Sequence, residues 1–280
     1  MRLANHSSRA VILTSDSEGI DVATASEGRF GPDIQDVYDQ WDDFLAWAPD
    51  AAGETVRIDP KQLGAVSPRP LQSMGVGLNY DEHVTESGFD RPDSLPPVFP
   101  KFQSSITGPY TTVALVPEGR NDWEAELVIV IGREAHDIPT GTGWDYVAGV
   151  TVGQDISERT TQLEGPAPQF GLGKSFPGYS PQGPWLVTPD ELPDRDDLAI
   201  TCTLDDEVVQ SGRTSQMIFD VPALVESLSR ILTLSPGDVI YSGTPSGVGF
   251  TREPPKLLQP GQVLVSTIEG IGEIRQEFTG

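Results

Sequence analysis

Short apolar runs separated by turn residues recur along the chain, and they predict many strands and few helices. In residues 9–25 the run Ala10-Val11-Ile12-Leu13 gives way to the polar turn Ser15-Asp16-Ser17-Glu18-Gly19 and then to Ile20-Asp21-Val22-Ala23, which reads as a hairpin. From Asp33 onward, Ile34, Val37, Tyr38, Trp41, Phe44, Leu45 and Ala48 recur at three- and four-residue steps, predicting one amphipathic helix bracketed by Pro32 and Pro49. A short glycine-rich strand over residues 73–80 is followed by one or two helical turns over residues 81–87, and a strand over residues 111–116 comes later. In residues 121–132, five aliphatic side chains in succession, closed by Gly132, predict a strand buried on both faces and too short for a membrane span. Residues 146–153 form another apolar strand, and residues 198–204 with 208–210 alternate like a two-stranded ribbon. Asp220 caps a predicted helix over residues 221–234, with Leu224, Val225, Leu228, Ile231 and Leu232 as its core-facing stripe. Two turn-and-strand units, residues 236–241 and 260–265, close the chain.

This order of elements predicts an α+β, mainly β protein: a small α+β domain over residues 1–70 and a larger one over residues 71–280. The proline-punctuated Ser67-Pro68-Arg69-Pro70 is the expected boundary. With 29 glycines and 25 prolines the chain favours turns and short strands over long helices. A formal net charge of −24 argues against nucleic acid and anionic membrane surfaces as partners, since both need basic patches. The single cysteine, Cys202, excludes an internal disulfide framework and any thiolate metal cluster within one chain. No stretch reads as a signal peptide or a membrane span, so a cytoplasmic location is expected.

Candidate chemistry starts at the central strand. Side chains two apart on a strand point to one side, so Glu124 and Glu126 project together at the mouth of a sheet. Two carboxylates held that close are either hard-oxygen ligands for a divalent ion of the magnesium or calcium type, or a solvated strand end in a chain acidic throughout. Asp155, at the end of the strand over residues 146–153, would complete a facial set of three. His83 and Glu86 lie three apart on one face of the short helix, the construction of a carboxylate-oriented general base, or else an exposed histidine in a capping segment. Lys174, in a glycine-flanked loop, is a candidate for stabilising negative charge or an ordinary solvated lysine. The proline-rich residues 91–100 suggest a lid, and the glycines of residues 242–249 allow close approach of backbone to a ligand.

Taken together, Gly77-Leu78-Asn79-Tyr80 with His83 and Glu86, Lys101, Asp122-Trp123-Glu124-Ala125-Glu126-Leu127, Asp155-Ile156-Ser157-Glu158-Arg159, Gly173-Lys174-Ser175-Phe176 and Gly243-Thr244-Pro245-Ser246-Gly247-Val248-Gly249 resemble the fumarylacetoacetate hydrolase family over most of residues 71–275. The resemblance implies a catalytic domain built as a mixed β-sandwich roll, a homodimer, and one Mg2+ or Mn2+ per subunit, with Ca2+ as a substitute. It implies Glu124, Glu126 and Asp155 as metal ligands, and His83, Glu86 and Lys174 as catalytic groups. Tyr80, Lys101 and Thr244 would lie at the substrate, and Arg159 would support the metal loop. The implied reaction is hydrolysis of a carbon–carbon bond in an acylpyruvate or related β-diketo acid. Decarboxylation of an oxaloacetate-like acid, or isomerisation or hydration of an unsaturated 2-oxo acid, is the alternative on the same site. Thr160 and Pro177 stand where the family often carries aspartates, which leaves the metal set intact and bears on substrate identity.

Overall fold

The computed structural model describes all 280 residues. Its centre is the strand Ala125–Ile131, every residue of which is buried. Alternation along this strand builds two cores at once. Ala125, Leu127, Ile129 and Ile131 face a 36-residue apolar cluster, while Val128 packs with Val239 and Tyr241 and Val130 joins a separate 15-residue cluster. The first cluster fills the space between an eleven-stranded sheet and a five-stranded one, the second lies under the N-terminal helices. Both faces are therefore covered, as an uninterrupted aliphatic run requires.

In the large sheet the central strand pairs antiparallel with Val147–Gln154 on one side and Val239–Tyr241 on the other; Ser73–Val76 and then Val98–Pro100 continue beyond the latter. The five-stranded sheet runs Glu207–Arg213, Ala199–Leu204, Val263–Ile268, Gly272–Thr279 and Tyr110–Ala114. Cys202 lies between the two sheets, where burial pushes its thiol up to about 12, so it stays a protonated core residue.

The N-terminal seventy residues carry the expected hairpin, Arg9–Leu13 with Glu18–Asp21. Their strands also extend the large sheet, through Arg2–His6 paired with Ser180–Val187. Ser67, in the expected boundary, is fully buried, and its hydroxyl donates to the Gly237 carbonyl at 2.6 Å. The helix expected from Asp33 is two: Ile34–Tyr38, capped by Asp33, and Trp41–Trp47, with a break at Asp39–Gln40. The break lets the Tyr38 hydroxyl donate to the Val66 carbonyl while Trp41 covers Gly132, two contacts at the ends of different elements. Asp220 caps its helix by accepting from the Ala223 N–H, but the helix ends at Ser229 rather than 234. Leu234 leaves it to exchange backbone hydrogen bonds with Ala135, and Ile231, expected in the core, is 69% exposed. No helix is long and apolar enough to cross a membrane.

Candidate active site

Register places the three carboxylates. Ala125 opposes Gln154, so Glu124 and Asp155 meet one step further along, where the Asp155 N–H donates to the Glu124 carbonyl at 2.9 Å. Glu126 projects to the same side as Glu124. One oxygen from each of Glu124, Glu126 and Asp155 lies within 4.8 Å of the others, and all three residues are buried.

Three cations surround this set. The Lys101 ammonium donates to Asp155 Oδ1 and to the Lys174 carbonyl. Lys174 Nζ lies 2.5 Å from Glu124 Oε2 and 2.8 Å from Asp155 Oδ2. Arg159 reaches Glu124 Oε1 at 2.8 Å and Asp122 Oδ2 at 2.7 Å. Burial pushes the Glu124 carboxyl up, but Lys174 and Arg159 outweigh it and hold the group at about 2. Burial drives the Lys174 ammonium down, yet Asp155 and Glu124 keep it above its ordinary value; Lys101, wholly buried, is lowered by the same desolvation.

Glu126 stands apart. It accepts one hydrogen bond, from the Gly243 N–H at 2.9 Å, and no cation pairs with it. Burial, with Asp155 and Glu124 beside it, pushes its carboxyl well above the ordinary range. Asp155 Oδ2 is buried and receives no hydrogen bond despite its contact with Lys174. A hard divalent cation would satisfy both, so the residues present fit such an ion, and the triad is a candidate metal site.

His83, on the helix Asp81–Ser87, is 7% exposed and lines the same cavity as Glu124 and Glu126. Its Nδ1 lies 2.8 Å from Glu86 Oε1, which leaves Nε2 without a protein partner. Glu86 in turn accepts from the Gly247 N–H at 2.9 Å, and Glu82 accepts from the Ser246 hydroxyl at 3.0 Å. The helix is thus fastened to the loop of residues 242–249. That loop is the feature sequence reasoning only half described. Its backbone donors serve carboxylates of this chain: Gly243 for Glu126, Gly247 for Glu86, and Gly249 for Asp122.

The cavity holds about 220 Å³. His83, Lys174 and Thr244 lie on its wall with Glu124 and Glu126. The Thr244 hydroxyl donates to the Ala125 carbonyl and accepts from Gln210, so its proton is already committed. Glu86, Asp155 and Lys101 stand behind the wall. Tyr80 is 2% exposed and lies outside this cavity, its hydroxyl unpaired. Thr160 and Pro177 are exposed and do not line the cavity. The functional residue sequence reasoning missed is Asp122, fully buried, which accepts from Arg159, Gly249 and Phe250. Its place beside Glu124 in the Asp-Trp-Glu-Ala-Glu run was the only available signal.

A family model described as fumarylacetoacetate (FAA) hydrolase C-terminal matches residues 72–279. A Burkholderia cenocepacia protein provisionally named a hydrolase is 40% identical over 267 residues, 88% of this chain and 94% of its own. The crystal structure of a Mycobacterium smegmatis protein provisionally designated HpcE superposes with a TM-score of 0.95 at 53% identity, covering 100% of this chain and 99% of that one. A Mycobacterium abscessus structure, provisionally assigned as a 2-hydroxyhepta-2,4-diene-1,7-dioate isomerase, gives a TM-score of 0.84 at 28% identity, covering 99% and 97%.

Proposed function

The chain belongs to the fumarylacetoacetate hydrolase family, and on that footing we propose that it is a divalent-metal-dependent hydrolase cleaving a carbon–carbon bond in an acylpyruvate or related β-diketo acid. One observation carries the reading: a carboxylate-oriented histidine with a free Nε2 lines the same cavity as Glu124 and Glu126 of a buried three-carboxylate set. When bound at Glu124, Glu126 and Asp155, Mg2+ or Mn2+ supplies Lewis-acid polarisation of a chelating 2-oxo acid.

The chain's own residues supply the rest. Glu86, held by the Gly247 N–H, accepts from His83 Nδ1 and fixes the tautomer in which Nε2 takes a proton from water. The hydroxide adds to the distal carbonyl of the diketone. The carbon–carbon bond then breaks with its electrons passing to the pyruvate enolate, and His83 returns the proton to that carbon. Lys174 stands on the wall where negative charge develops, and Lys101 fixes Asp155 from behind. The working form we expect is a cytoplasmic homodimer acting on a small 2-oxo acid.

A second reading is isomerisation of an unsaturated 2-oxo acid, with His83 moving a proton from carbon to carbon; the isomerase assignment of the Mycobacterium abscessus relative favours it. The first experiment follows loss of acetylpyruvate enol absorbance beside pyruvate release from oxaloacetate, each with magnesium and with excess chelator. Chelator-sensitive cleavage of the diketone supports the hydrolase. Turnover of oxaloacetate alone moves the reaction to decarboxylation, and turnover of neither removes those two reactions and leaves the isomerase reading. His83→Ala should lower diketone cleavage by about 10²–10⁴-fold while sparing any decarboxylation, which needs no activated water.

A further inference from the structure

All the charge on the cavity wall belongs to one cluster. His83, Glu124, Glu126, Arg159 and Lys174 are its ionisable members, and both cations among them are engaged, Arg159 with Asp122 and Glu124, Lys174 with Glu124 and Asp155. The rest of the wall is mainly apolar: Val76, Phe89, Phe99, Leu163, Phe170 and Phe250. Phe99 and Phe170 meet at 5.8 Å between ring centroids, and Phe89 and Leu163, 49% and 41% exposed, mark the mouth. The Ser87 hydroxyl and the Gln162 amide are the remaining side-chain donors free on the wall, and both are neutral. The nearby loop cation, Arg91, lies outside the wall and pairs with Asp81 at 2.8 Å, both well exposed.

We propose that this cavity selects 2-oxo acids whose far end is uncharged and apolar, and rejects those carrying a second carboxylate there. The inference rests on the 2-oxo-acid reading above. One substrate carboxylate is provided for at the triad, where a bound divalent ion would supply positive charge. A second would leave water for a wall of aromatic and aliphatic carbon with no unpaired cation, and desolvating an uncompensated charge costs far more than apolar contact returns. The chain's net charge of −24 opposes a second anionic group in the same sense, although at long range and screened by salt.

The test uses the full-length, magnesium-loaded protein and two non-cleavable ligands of equal length, α-ketoheptanoate and α-ketopimelate. They differ only by a terminal carboxylate in place of a methyl group. Calorimetric titration should show α-ketoheptanoate binding at least about tenfold tighter, in low and high salt alike. Leu163→Arg, at a half-exposed position that tolerates a long side chain, should narrow the gap by about tenfold, and Leu163→Gln should not. Arg91→Ala should leave the ratio unchanged. Equal or tighter binding of α-ketopimelate, a gap that closes with salt, a ratio that moves in Arg91→Ala, or binding of neither ligand would each overturn the proposal. Failure of the hydrolase reading looks different: preference for α-ketoheptanoate in a protein that leaves acetylpyruvate intact.

Discussion

Glu126 is the residue on which the charge balance of the site turns. Its neighbours Glu124 and Asp155 have lysine or arginine partners, whereas Glu126 has a single backbone N–H. In the metal-free chain it is therefore a source of repulsion, and with a divalent ion it would become a ligand. Magnesium should raise the Tm of the wild type, and Glu126→Gln should leave metal-free stability equal or higher and abolish that rise. That rise reflects about 2.7 kcal/mol at a hundredfold excess over Kd, roughly 5–10 °C for a chain of this size. Scanning calorimetry with magnesium and with chelator checks both; an undiminished magnesium shift in the variant would remove Glu126 from the ligand set. At this scale much of the site was legible in the sequence. Strand periodicity alone puts Glu124 and Glu126 on one side, and a helical step of three brings His83 to Glu86. Asp122 was not legible, because its partners Arg159, Gly249 and Phe250 come from segments 37 to 128 positions away.

Residues 242–249 show what an element contributes that its residues singly do not. The loop leaves the strand Val239–Tyr241 next to the triad, and its successive N–H groups reach three carboxylates on three other segments. Gly247 is the sensitive position. Its φ is +106°, and a Cβ there would fall 2.3 Å from the Val209 carbonyl oxygen, so no rotamer relieves the clash. Gly247→Ala should cost at least about 2 kcal/mol in urea unfolding. It should also lower kcat more than Glu82→Ala does, because it displaces the anchor of the His83–Glu86 pair, whereas Glu82 contributes only an exposed contact to Ser246. Equal kcat losses in the two variants would mean that the loop docks the helix without positioning the base. The glycine-rich composition announced close backbone approach, but which groups approach which depends on strand order. The same limit explains the helices: periodicity gave one apolar stripe for residues 34–48, and only the packing of Tyr38 and Trp41 against different segments required a break.

The largest difference between chain and molecule concerns the N-terminal seventy residues. Local pattern separates them, since they hold their own hairpin, their own helices and a proline-rich exit. Strand pairing joins them to the rest, since Arg2–His6 lies beside Ser180–Val187 in one hydrogen-bonded sheet. Pairing across some 180 residues leaves no mark on local hydrophobic pattern, which is why the continuity could not be read from sequence. Energetically the join is substantial. Val130, Ala148 and Leu186 from the larger part are buried in the cluster under Phe30, Trp41 and Phe44, and each fully buried large side chain contributes about 1.5–3 kcal/mol. Removing residues 1–70 would strip that cover and expose the edge of Ser180–Val187, a template for aggregation. The intact chain should therefore unfold in urea as one unit. Trp41 and Trp47 report on the N-terminal part and Trp123 and Trp144 on the rest, while Trp185 packs at the join, so Trp→Phe variants that lack Trp185 and keep one pair or the other should give the same midpoint. An earlier midpoint for Trp41 and Trp47 would show that the boundary near residue 70 is an energetic one, and that the shared sheet parts there before the site is lost.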